Sequence, residues 1–328
     1  MYQSLKDTCT DFHLYVFAFD DVTYAYLKQA NLPNLTPISL KEFEDNELLK
    51  VKPTRTMAEY CWTCTASTIL YSITSFALTN CTYIDADIYF YANPSVLVNE
   101  MGGNSVLITE HRYTPQYDQS NKSGKYCVQF VTFKSTAEGL KVLNDWRNDC
   151  INWCYARHEN GKFGDQKYLD YWTAKYTGVH ELQHLGGGVA PWNLQQYKFS
   201  INNNKIVLTA TTQKNKIPLV FFHFHGLRFY NNNIVLLSDT GYKIDKFVIK
   251  SIYFPYVKKL NKIKAEILKQ GVLFNPNGLN ENAPMPPLNF TVIKQYYIAL
   301  LKSSKKNLFG FNLINKIKQH YFYYTNKL

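Results

Sequence analysis

The sequence predicts an open α/β sheet over residues 1–238, followed by an extension of different composition. Three observations carry this reading. Strand-length runs of β-branched and aromatic residues recur, at 12–19, 81–90, 126–133 and 220–226. Amphipathic stretches lie between them, the plainest from 136 to 157 with Leu140, Leu143, Trp146, Cys150 and Trp153 near one face. Charge is also segregated: residues 241–328 hold 15 Lys and no Arg against Asp245, Glu266 and Glu281, so 15 − 3 = +12 of the net +11 lies there and the first 240 residues sum to −1.

Taken in order, residues 2–8 read as the end of a helix and 12–19 as a buried strand closing on Asp20-Asp21. A short helix over 22–29 and an extended segment over 35–40 follow. Residues 42–49 and 56–76 read as helices, the second long enough to cover a sheet face. Strands are expected at 81–90, 106–109, 126–133 and 179–182, with a helix at 165–175 before the last. In such sheets ligands bind beyond the carboxyl ends of the strands. After residue 239 the pattern becomes Lys-rich and amphipathic at 257–270 and 290–302, around a Pro/Asn-rich connector at 275–289. Residues 305–324 mix Lys with Phe, Leu, Ile and Tyr, as interfacial segments do. There is no internal repeat.

Chemistry concentrates at Tyr83-Ile84-Asp85-Ala86-Asp87. Read as a strand, this places Asp85 and Asp87 on one face with Ala86 opposite. Two carboxylates side by side at a buried strand end are costly unless a cation lies between them. Hard divalent ions are held by such carboxylates together with substrate phosphates. The second loaded strand is Val220 to Gly226, where His223 and His225 share a face and one or both can complete a metal shell.

Composition narrows the rest. The 26 Tyr and 21 Phe suit a packed fold with aromatic-lined clefts. No apolar run is long enough to span a bilayer, and the first residues lack a signal-peptide core, which places the protein in the cytoplasm. Seven cysteines are expected as reduced thiols. Cys61 and Cys64, with Cys150 and Cys154, have a zinc-like spacing but fall in helical segments, which favours ordinary burial.

With these pieces in order, the chain resembles the nucleotide-sugar transferases of the GT-A fold, an open mixed Rossmann-like sheet flanked by helices, and within them the retaining, metal-dependent family 8. Tyr83 to Asp87 resembles that family's Y-L-D-A-D strand, and Gly164-Asp165-Gln166 its D-Q helix start. Ala190-Pro191-Trp192-Asn193 resembles its W-N turn, and His223-Phe224-His225-Gly226 its H-F-x-G strand. The resemblance implies Asp85, Asp87 and His223 on Mn²⁺ or Mg²⁺, with His225 outside the ligand set. It implies Asp165 and Gln166 as the catalytic residues facing donor sugar and acceptor, and Ala86, Trp192, Asn193, Gly226 and Arg228 around the donor, a UDP-sugar by the same resemblance. Gly186-Gly187-Gly188 reads as a loop open to a ligand or as a plain loop.

Three departures stand out. The family's opening strand and nucleotide-contacting loop have no counterpart in these residues, leaving either a start upstream of Met1 or a base held differently. Cys127-Val128-Gln129-Phe130 stands where relatives carry Asn and a small residue beside the sugar, and Leu227-Arg228-Phe229 replaces their K-P-W. Arg55, Arg112 and Arg228 are candidate cations for the diphosphate, the first two read as structural.

The expected function is therefore a glycosyltransferase acting on a glycan or lipid-linked acceptor in surface polysaccharide synthesis. Its domain covers 1–238, and the Lys-rich extension at 239–328 rests on an anionic inner membrane face. The alternatives are an inactive sugar-nucleotide-binding protein of the same fold and a metal-dependent nuclease. The nuclease reading is disfavoured because the basic charge is segregated from the acidic pair, and no nucleic acid is expected.

Overall fold

The computed structural model describes residues 1–230, 234–239, 241–272 and 321–323. The chain divides into two compact units, residues 1–223 and 224–328. The contact boundary thus falls before the charge boundary near residue 239.

In the first unit, β1 (Leu14–Ala18) and β2 (Leu35–Ser39) form a parallel pair. Further along come β3 (Asn80–Ile84), β4 (Ile88–Phe90), β5 (Val106–Glu110), β6 (Tyr126–Lys134) and β7 (Val179–Glu181). The main sheet has the order β3-β6-β5-β7, antiparallel except for β5 with β7. Next, β8 (Tyr197–Asn202) and β9 (Lys205–Ala210) make a hairpin extended by β10 (Ile217–Pro218), and β11 (Phe221–His223) pairs with β4.

Two layers of side chains sandwich the main sheet. On one face, helix Met57–Ser75 supplies Ala66, Ile69 and Ile73, and helix Ala137–Asn152 supplies Val142, Leu143 and Trp146 against Val106, Ile108 and Phe133. On the other, Leu107 and Phe130 meet Leu5, Leu97, Leu182 and Phe221. The long helix starts where the sequence says it must, at a Thr56/Glu59 capping box. Among the described residues β1 pairs only with β2, and β3 only with β6. A cavity of about 580 Å³ lies between them, walled by both strands and by Cys61, Thr65 and Thr68.

Strand β6 is bulged. Its register to β5 passes from Leu107↔Thr132 to Thr109↔Cys127, so residues 128–131 stand opposite Ile108 alone. The alternation slips with it: Tyr126, Val128, Val131 and Phe133 face one core and Phe130 the other.

Several expected elements are shorter or divided. Residues 42–49 are not one helix, because Ser39 caps Leu40–Phe43 and Asp45 caps a new start at Asn46–Val51. The segment at 165–175 is a 3₁₀ stretch, Lys167–Tyr171, and one α-turn, Trp172–Lys175. The hairpin β8–β9 was not anticipated. Its signal was Asn203-Asn204, whose φ angles of 48° and 59° suit a two-residue turn between twisted strands.

In the second unit, β12 (Arg228–Tyr230), β13 (Ile234–Leu236) and β14 (Tyr321–Tyr323) form an antiparallel sheet. The helix expected at 257–270 spans Phe254–Lys269. Those expected at 290–302 and most of 305–324 lie outside the described residues.

Candidate metal centre

The Asp-x-Asp segment is a turn and not a strand. β3 ends at Ile84, the Asp85 N–H bonds the Gln129 carbonyl at 3.1 Å, and the Ile88 N–H returns to the Asp85 carbonyl at 3.3 Å. The chain thereby leaves the main sheet and enters β4. Aspartate favours such turns, and a turn gathers both carboxylates as a pleated strand would have done. Strand β11, held to β4 by His223↔Ile88, brings His223 to the same point.

One ligand atom from each of Asp85, Asp87 and His223 lies within 4.8 Å of the others, the one such group found among the described residues. His223 Nε2 is 3.0 Å from Asp87 Oδ1 and 3.7 Å from Asp85 Oδ2. The His223 side chain is only 5% exposed, against 29% for Asp85 and 44% for Asp87, so the imidazole forms the floor and the carboxylates the rim.

The electrostatics are those of a site short of positive charge. Burial raises the Asp85 carboxyl, the imidazole draws it down, and Asp87 pushes it up again, leaving it above the ordinary carboxylate value. Burial works against charge on His223. Asp87, through its charge and a hydrogen bond, outweighs that burial together with Cys127 and Asp85, so the imidazole is held well above its usual value. The Tyr83 hydroxyl donates to Asp85 Oδ1 at 2.9 Å.

The other expected site residues are placed as follows. Asp165 is 6% exposed, its backbone carbonyl accepts the Trp146 indole N–H at 2.8 Å, and its carboxyl hydrogen-bonds the Thr65 side chain. Burial, with Asp85's charge adding to it, pushes that carboxyl up to about 7. The Gln166 amide donates to the Ser123 carbonyl at 2.7 Å. The Trp192 ring stands edge-on to His223 with centroids 5.4 Å apart, and its N–H bonds the His111 carbonyl. Asn193 is fully buried: its amide donates to the carbonyls of His111 (2.7 Å) and Gly188 (2.8 Å) and accepts from the Ala190 N–H (3.0 Å). Ala86 lines the cavity beside β3. Gly226 and Arg228 belong to the second unit, Arg228 exposed on β12.

Arg112 donates to the carbonyls of Leu182 and Gly187, and Arg55 to that of Ile151. The three glycines at 186–188 are buried, and a Cβ on Gly186 would stand 2.0 Å from the Pro218 carbonyl. They serve close packing. Cys64, Cys150 and Cys154 are buried free thiols, Cys64 in a different core cluster from the other two. Sequence reasoning missed Thr65, which comes from a distant helix with no motif, and it named Tyr83 and Gln129 only as part of the metal motif and of a departure from the family pattern, without their bonds to Asp85 and His223.

No family model matches the sequence. Among solved structures, the chain overlaps mouse xyloside xylosyltransferase 1 with a TM-score of 0.36 and 11% identity, over 55% of this chain and 77% of that one. The chain is 30% identical to the uncharacterized protein YfnF of Bacillus subtilis over 249 residues, 73% of this chain and 80% of the relative. It is 31% identical to the uncharacterized protein YfnD of the same organism over 272 residues, 81% of this chain and 85% of the relative. The chain belongs to the family of YfnD and YfnF.

Proposed function

We propose that this protein is a metal-dependent glycosyltransferase that uses a nucleoside diphosphate sugar. The observation that carries the reading is the Asp85–Asp87–His223 cluster, formed where the chain crosses between two sheets. The donor set fits a divalent ion such as Mn²⁺ or Mg²⁺. Ligands about 2.1 Å from one octahedral ion stand roughly 3 Å apart when adjacent, which compares well with the 3.0 and 3.7 Å separations here. Two carboxylates and a neutral imidazole leave coordination positions for phosphate oxygens. A bound divalent ion supplies charge neutralisation for a departing diphosphate.

The chain's own groups do the rest. His223 and the Trp192 ring wall the inner side, and Tyr83 orients Asp85 by its hydrogen bond. Asp165, behind Asp85 and bonded to Thr65, is assigned with Gln166 to the catalytic side of the donor sugar. Ala86, Trp192, Asn193, Gly226 and Arg228 are assigned to its surroundings by the order of the motifs. The assignment includes retention of configuration, a UDP-sugar donor and a glycan or lipid-linked acceptor of surface polysaccharide. The domain reading is a transferase over 1–238 with a Lys-rich extension at 239–328, whose charge suits the anionic inner face of a membrane. Among the described residues no helix is long and apolar enough to cross a membrane.

The test is UDP release from a panel of UDP-hexoses with Mn²⁺, comparing the native chain with Asp87→Ala. Mn²⁺-dependent turnover lost in the variant supports the enzyme. Binding of metal and UDP-sugar without turnover supports a binding protein, and no binding of either refutes both. Vesicles containing phosphatidylserine test the extension: salt-sensitive binding is expected, and equal binding to neutral vesicles would refute it.

A further inference from the structure

The bulge in β6 sets one buried side chain against the metal centre. Gln129 is fully buried, and its Oε1 stands 2.8 Å from His223 Nδ1. Its other amide atom, Nε2, has no hydrogen-bond partner among the described residues. A buried unpaired amide nitrogen is costly, so an arrangement that retains one calls for a reason.

We propose that Gln129 is a positioning residue: its side-chain carbonyl fixes an N–H of His223 at Nδ1, so that Nε2 is the ring nitrogen that ligates an ion held between Asp85 and Asp87. This rests on the metal-centre reading above. A neutral imidazole has one N–H, and only the bare nitrogen can ligate. The Asp87 carboxylate, 3.0 Å from Nε2, is a strong acceptor and by itself would draw the proton to the ligating side. A carbonyl at Nδ1 opposes that pull. An amide turned over would present Nε2–H to Nδ1, pairing the orphan nitrogen but forcing the proton onto the wrong ring nitrogen. The unpaired Nε2 is thus explained by what the carbonyl does on the other side. Partners of this kind hold metal-bound histidines in many sites.

The bulge makes the contact possible. In an unbroken ladder Val128 and Phe130 would face the same way; here they face opposite cores, and Gln129 between them reaches His223. The Cys127 thiol is also close enough to the imidazole for the two groups to shift one another's titration, and it supplies the control.

The experiment uses the full chain and two readouts. Mn²⁺ affinity is measured by calorimetry for Gln129→Met, which removes the acceptor at similar size, for Gln129→Glu, which keeps it, and for Cys127→Ala. Proton NMR of the metal-free proteins follows the exchange-protected, downfield Nδ1–H of His223. The expected result is a loss of about 10- to 100-fold in Mn²⁺ affinity for Gln129→Met, with Gln129→Glu and Cys127→Ala within about threefold of the native chain. The NMR signal is expected in the native chain and Gln129→Glu and absent in Gln129→Met. Native affinity in a folded Gln129→Met, or equal loss in both Gln129 variants, overturns the proposal. If the native chain binds no Mn²⁺, the metal reading fails; the NMR comparison still decides whether Gln129 holds the imidazole.

Discussion

Replacing Asn193 with alanine separates a residue that serves the fold from one that serves a ligand. Its amide makes three hydrogen bonds, to the His111 and Gly188 carbonyls and from the Ala190 N–H. The His111 carbonyl keeps a partner in the Trp192 indole, but the Gly188 carbonyl and the Ala190 N–H would each lose theirs. Two buried polar groups left unpaired cost about 1–3 kcal/mol each, so a loss of about 4 kcal/mol is expected. At about 2–4 °C per kcal/mol for a chain of this size, the melting temperature should fall by roughly 8–16 °C. Thermal unfolding followed by circular dichroism gives the number, with UDP-sugar affinity measured below the transition. Asn193→Asp, which keeps the acceptor and loses both donors, should be at least as damaging. A fall of under about 3 °C together with lost UDP-sugar affinity would refute the reasoning and make Asn193 a ligand group.

Asp165→Asn should change stability in a pH-dependent way. The folded carboxyl is raised to about 7, above the roughly 3.9 of an unfolded Asp, so its ionisation costs stability increasingly as pH rises from about 4 to 7. The variant should therefore gain melting temperature over the native chain at pH 8 and little at pH 4; a difference constant with pH sinks this. Gly186→Ala must move either its own loop or the Pro218 carbonyl, so it should unfold the chain or lower expression sharply, whereas a native melting curve would show the packing to be loose. Thr56→Ala removes one half of a capping box and should cost about 1 kcal/mol, seen as a shift of about 2–4 °C. No shift would mean that the helix start is held by its packing alone.

Much of the fold was legible because each element follows local rules. The strand runs at 12–19, 106–109 and 126–133 and the helices at 56–76 and 136–157 carry their own periodicity and caps, and the structure places elements in all of them. Boundaries were less legible where a polar residue restarts a helix, as Asp45 does. The two aspartates were readable because carboxylates at that spacing call for a cation between them, whereas His223 was separated from His225 only by the family resemblance. The sequence by itself therefore determined the alternating core and the chemical types, carboxylate and imidazole, of the three candidate ligands. Only the tertiary structure decided that Asp85 and Asp87 sit in a turn, that the Asn193 amide pairs with His111, Gly188 and Ala190, that the glycines at 186–188 are closely packed, and that Gln129 reaches His223. Those outcomes depend on strand pairing and a bulge between segments far apart in the chain, and pairing of that kind leaves no periodic mark in either segment.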